Sequence, residues 1–138
     1  MIRISNPADL IIVNRKNQIL LAKRKEGEAG YGKWSIPGGG AEACENFEDA
    51  LHREIKEELG CGIKWFKYFS SYIEKEAGGH IVRAVYFYGE ITGELKLNSE
   101  LSEYKWWDIG GSEMLKLEFA FNQKEVVTDF VKFWKSLK

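Results

Sequence analysis

The sequence is short of the features that usually assign a chain to a class by composition alone. It has two cysteines, Cys44 and Cys61, among 138 residues. They lack the paired short spacing of a zinc site, and two thiols do not make a disulfide framework, so they read as free thiols of a reducing cytosol. No basic segment followed by an apolar run opens the sequence, and no apolar stretch approaches membrane-spanning length. The expectation is a soluble, cytoplasmic protein without a membrane partner. Neither charge is in excess: 20 Lys and Arg against 21 Asp and Glu leave a formal net charge of −1. That balance offers no general attraction for a nucleic-acid polymer or an anionic lipid surface. Any phosphate chemistry must be local. The two histidines, His52 and His80, have no partner pattern and read as structural or exposed.

What is present suffices for one core. At 44% apolar and 14% aromatic content, residues 1–138 fit a single domain. The runs DLIIVN (9–14) and QILLAK (18–23), joined by the polar turn 14–17, predict a β-hairpin. A glycine-punctuated segment, 26–44, follows; loops of that length in a compact domain are usually functional, with Trp34 and Ile36 as its anchors. A helix then runs from the N-cap Asn46 to Gly60, with Phe47, Ala50, Leu51, Ile55 and Leu59 as its apolar stripe. Strands are predicted over 63–74 and 80–91, linked through Ala77-Gly78-Gly79, and over 104–108. A last helix starts at Asn122, with Glu125 at capping-box spacing. Strands interleaved with two helices predict a mixed sheet covered on both faces.

One stretch runs against good helix design. REIKEEL, residues 53–59, places Glu54, Glu57 and Glu58 three and four residues apart beside the apolar stripe, facing solvent or a cleft. Like charges at that spacing cost roughly 0.2–0.5 kcal/mol per pair. They also lie in the last turn, where the helix dipole favours cations. A hard divalent cation would turn this repulsion into attraction, because Mg²⁺ takes carboxylate oxygens and bridges them to substrate phosphates. The glycine-rich segment leading into the same helix can bring backbone groups close to phosphate and metal.

From Gly39 the sequence reads GGAEACENFEDALHREIKEELGC, which resembles the Nudix box of the MutT-like hydrolases. The fixed places fall on Gly39, Glu45, Arg53, Glu54, Ile55, Glu57, Glu58 and Gly60; Cys61 replaces the usual aliphatic residue, a packing variation. WSIPGG (34–39), Lys23-Arg24 and ELSEYKW (100–106) also resemble the family's surroundings of the box.

The resemblance implies an α/β fold, the Nudix α/β/α sandwich with a mixed sheet. It implies Mg²⁺, with Mn²⁺ as the alternative, held by Glu54, Glu57 and Glu58 and a carbonyl of Gly38 or Gly39. It implies that Arg53 orients a neighbouring glutamate and that Glu45 ties the loop to the helix. The catalytic base would be Glu54 or a loop glutamate, Glu100 first and Glu103 second. Arg24, Gly38 and Gly39 would contact substrate. Trp34, Tyr31, Phe119 and Asn122 are candidates for the nucleobase, although core packing and capping are the favoured roles for them. The implied activity is cleavage of a diphosphate bond in a nucleoside triphosphate, giving a nucleoside monophosphate and pyrophosphate, or in a related derivative. ADP-ribose or nucleotide-sugar hydrolysis is the alternative, followed by a non-catalytic nucleotide sensor. The partner is thus a small nucleotide, with room for a homodimer.

Overall fold

The computed structural model describes residues 2–137. Among them eight strands form one mixed sheet: β1 (Arg3–Ser5), β2 (Pro7–Val13), β3 (Gln18–Arg24), β4 (Trp34–Ser35), β5 (Gly38–Gly40), β6 (Gly62–Lys75), β7 (His80–Thr92) and β8 (Leu101–Asp108). Helix α1 (Phe47–Leu59) lies between β5 and β6, and α2 (Gln123–Ser136) follows β8. β7 runs parallel to both β1 and β2, while the β2–β3, β3–β8 and β6–β7 pairs are antiparallel.

Strand periodicity explains the two helical layers. Successive side chains of a strand point to opposite faces. On β2, Leu10 and Ile12 join Leu51, Ile55 and Leu59 of α1 in one core, whereas Ile11 and Val13 join Val126, Val127 and Phe130 of α2 in the other. β3 repeats the division, with Leu20 and Ala22 on the α1 side and Ile19 and Leu21 on the α2 side. A sheet buried on both faces needs continuous apolar strands, and these runs supply them. Cys61 is buried in the α1 core, as its packing role requires.

The strand at the centre also opens the site. β2 pairs with β3 through Ile12 and Val13, but with β5 through Pro7, Ala8 and Asp9. The glycine strand therefore lies against the first half of β2, beside α1.

Several boundaries differ from the sequence reading. The long glycine segment contains β4 and β5, because Trp34 and Ser35 extend the β3 ladder and Gly38–Gly40 that of β2. β1 was too short to predict, and β8 begins at Leu101 rather than at Tyr104. Asn46 caps α1, its side chain accepting from Asp49 N–H at 2.8 Å, and Gly60 closes it with φ 68°. Asn122 does not repeat this: its side chain makes no capping bond, and its backbone (φ −100°, ψ 25°) lacks the extended geometry a capping box needs. Glu58, expected to face solvent or a cleft, takes the second course: it is 2% exposed and lines a cavity. Ile55 is fully buried between α1 and the sheet. Ile55→Ala is expected to cost about 2–5 kcal/mol, measured as a lower urea midpoint with unchanged slope.

Candidate active site

Arg53 organises the outer side of α1. Its Nε and Nη2 donate to the two oxygens of Glu45 at 2.9 and 3.0 Å, a bidentate grip that ties the segment before the helix to its middle. Nη1 reaches Glu54 Oε1 at 2.9 Å and Glu57 Oε2 at 3.3 Å, and Nη2 also donates to Gly40 O at 3.0 Å. The arginine thus joins α1, β5 and the intervening loop. Hydrogen bonding to Arg53 holds the Glu45 carboxyl down, from an ordinary value of 4.5 to about 2.

The inner side is drier. Glu58 accepts from Gly38 N–H at 2.9 Å, and Arg24 Nη1 stands 3.8 Å from its other oxygen. Burial pushes Glu58 up to about 8, and the nearby charge of Glu54 adds to this. The Gly38 bond and Arg24 oppose the rise without cancelling it. Glu54 is raised by partial burial, with Arg53 pulling the other way. Two carboxyls destabilised as anions in one place form an environment that a cation would relieve.

Glycine is required where these groups meet. A Cβ on Gly39 would fall 2.5 Å from the Glu54 carboxyl carbon, and one on Gly38 would fall 2.4 Å from Ala8 O and 2.5 Å from Asp9 Cα. Gly38 also holds φ 147°.

These residues border a cavity of about 440 Å³ whose lining includes Arg24, Gly38–Gly40, Glu54, Glu58 and Glu100. Glu100 arrives on the loop before β8, which docks on the end of α1 through Lys96 N–H to Leu59 O (2.7 Å) and Asn98 N–H to Glu58 O (3.0 Å). Arg24 is braced by its Nε bond to Ala29 O at 3.1 Å. Glu57 is not in the lining; its side chain is 55% exposed and turned to Arg53. Glu103 is paired with Lys23 on the β3–β8 ladder, away from the cavity. Trp34 packs edge-on against Trp107, Phe119 is in the core, Tyr31 is exposed, and Asn122 does reach the lining.

Sequence reasoning missed Asp9, Tyr86 and Gln123, which form the buried wall opposite α1. Gln123 Oε1 accepts from Ile36 N–H at 2.8 Å, so its amide nitrogen must face Asp9 (3.5 Å) and the Tyr86 hydroxyl (3.4 Å). Burial raises Asp9 well above the ordinary carboxyl range, and the charges of Glu58 and Glu54 reinforce this. The available signal was an acid within the otherwise apolar run of β2. His80, read as structural or exposed, has ring partners on both sides that the sequence did not announce: Glu76 and Ser5.

A model of the NUDIX domain matches residues 5–130. The chain belongs to this family, the Nudix hydrolases. It is 32% identical over 127 residues to an ADP-ribose pyrophosphatase of Methanocaldococcus jannaschii, covering 91% of this chain and 72% of that protein. It is 31% identical over 102 residues to an 8-oxo-dGDP phosphatase of Danio rerio, covering 71% of this chain but only 30% of that longer protein. The solution structure of the E. coli ORF135 protein superposes with a TM-score of 0.84 at 25% identity, covering 98% of this chain and 94% of the other. The Nudix α/β/α arrangement expected from the box is therefore the one observed. Among the described residues no helix is long and apolar enough to cross a membrane.

Two outcomes test this Nudix site physically. Gly38→Ala should cost at least about 1–3 kcal/mol, because it combines backbone strain with a clash against β2 that no rotamer relieves; thermal unfolding reads the loss. Glu45 is stabilised as an anion in the folded state, so its contribution is complete above pH 4.5 and disappears as the pH falls towards 2. The stability difference between wild type and Glu45→Gln should be constant near neutrality and shrink across that acid window.

Proposed function

We propose that the protein hydrolyses a diphosphate bond in a nucleoside diphosphate derivative, with Mg²⁺, or Mn²⁺ in its place, as cofactor. The observation carrying this reading is the placing of Glu54 and Glu58, both destabilised as anions, with Gly38–Gly40 and Arg24 around one cavity.

The donor set suits a hard cation. Among the described residues no group of three carboxylate, imidazole or thiol side chains is gathered closely enough to hold a metal. Mg²⁺ does not need one, since it keeps several waters and commonly uses one or two carboxylates together with substrate phosphates. Glu54 and Glu58 would hold it from the cavity, and Glu57 is the candidate third ligand on the exposed side. When bound, such an ion neutralises the diphosphate and makes water a better nucleophile.

The chain's own residues supply the rest. Arg24 presents a guanidinium to phosphate oxygens. Arg53 positions Glu54 and Glu57 and fixes Gly40. Glu54 or Glu100 takes the proton from the attacking water, both being at the cavity wall. Water then attacks phosphorus in line with the leaving phosphate.

For the substrate, a nucleoside triphosphate and ADP-ribose are the two leading classes. The relative named ADP-ribose pyrophosphatase, of which this chain covers 72%, favours ADP-ribose. A purely sensing role is disfavoured by the retained Arg53, Glu54, Glu57 and Glu58.

The test is a Mg²⁺-dependent panel of ATP, dGTP, ADP-ribose and a nucleotide sugar, with products identified. Wild type should cleave at least one of them. Glu58→Gln, which keeps an acceptor for Gly38 N–H, and Glu57→Gln should lower kcat/KM by about 100-fold or more. Arg53→Ala should lower it by about 10–100-fold as a positioning residue, and Lys in its place should recover little because the bidentate grip is lost. Equal inertness of wild type and variants, with nucleotide still bound, would give the sensor reading instead.

A further inference from the structure

The turn joining β6 to β7 builds a second polar device on the same cavity. Gly78 and Gly79 take φ of 79° and 81°, which side-chain-bearing residues rarely adopt, and Glu76 N–H donates to His80 O at 2.7 Å. The tight closure brings the Glu76 and His80 side chains together. His80 Nδ1 lies 2.8 Å from Glu76 Oε1, and Nε2 lies 2.7 Å from Ser5 Oγ on β1. Glu76, His80 and Ser5 all line the cavity that contains Glu54 and Glu58, yet none belongs to the glutamate cluster.

The direction of these bonds follows from which groups can donate. A carboxylate only accepts, so His80 Nδ1 carries a proton towards Glu76. In the neutral ring Nε2 is then an acceptor and Ser5 gives it the hydroxyl proton, whereas in the charged ring Nε2 donates to the Ser5 oxygen. In either ring state the Ser5 oxygen keeps at least one lone pair for the cavity. Glu74, on the same strand as the turn and also in the lining, adds another acceptor. A wall of this kind suits a ligand group that donates hydrogen bonds, and it repels a phosphate.

We propose that Ser5, oriented by the His80–Glu76 pair, is a specificity-determining contact for the uncharged, hydroxyl- or amino-bearing part of the substrate, the sugar or base attached to the diphosphate. This rests on the diphosphate reading above and deepens it: the glutamates and Arg24 engage the phosphates, and the relay engages what the phosphates carry. His80 and Glu76 act through Ser5 as positioning residues.

Calorimetry with Mg²⁺ and the non-hydrolysable α,β-methylene analogues of ADP-ribose and ADP tests it. Ser5→Ala should weaken the ADP-ribose analogue about 3- to 10-fold, the range expected for one neutral hydrogen bond, and Ser5→Thr, which keeps the hydroxyl, should restore it. A loss confined to the ADP-ribose analogue identifies the terminal sugar as the donor; an equal loss for both identifies the adenosine. A second readout needs no variant. The chain has only two histidines, so the imidazole NMR signals of His80 should move on binding while those of His52, set against Phe66, stay in place. Unchanged affinity in Ser5→Ala overturns the proposal whatever the His80 signal does, as does failure of the wild type to bind either analogue. Hydrolysis of the parent compounds is scored separately, so activity with no effect at Ser5 rejects the relay and leaves the diphosphate reading standing.

Discussion

The site depends on the removal of the Glu58 carboxyl from water at the end of α1. A group so placed is costly unless it is hydrogen-bonded, and the bond available is from the backbone of Gly38. That requirement fixes the distance between helix and glycine strand, and it excludes a side chain at Gly38 because β2 lies immediately behind. Glu54, one turn earlier, is fixed in the same way from the other side by Arg53. The cavity is therefore bordered by groups whose positions are set by each other before any ligand arrives. Preorganisation of this kind is where enzymes gain most of their electrostatic stabilisation.

The two cores serve that arrangement unequally. The α1 core holds the glutamate helix on the sheet through Leu51, Ile55 and Leu59, so Glu54 and Glu58 inherit the rigidity of the best-buried side chains in the molecule. The α2 core is larger in aromatics, with Phe130 meeting Phe69, Tyr88 and Phe133. Its polar link to the site includes Gln123, at the first position of α2, and the Tyr86 hydroxyl that Gln123 faces. Both cores meet on β2, whose residues alternate between them.

What could be read from the letters follows from how local each signal is. Asn46, the stripe to Leu59 and Gly60 are close in sequence and obey helical spacing, so α1 was legible nearly to the residue. The Arg53–Glu57 contact is likewise an intrahelical spacing. Glu58 was harder: its neighbours along the helix suggest an acidic face, and the groups that meet its carboxyl, Gly38 and Arg24, are 20 or more residues away. Asp9 looked like a strand boundary because the strand β5 that covers it is three glycines long. Asn122 had the composition of a capping residue, but its backbone entered the helix from a different conformation. The Ser5–His80 bond joins residues 75 positions apart, and no pattern in the intervening sequence announces it.

The lining of the cavity differs in stiffness from one side to the other. Gln123 is 4% exposed, and its amide is locked by the Ile36 N–H, so the wall formed with Asp9 and Tyr86 has little freedom to rearrange. Across from it, Glu76 sits on a turn of two glycines with its side chain 43% exposed. Few buried contacts restrain that turn, which places it at the low-stability end of the structure. One side of the cavity is thus fixed by buried hydrogen bonds, and the other is held by an exposed turn.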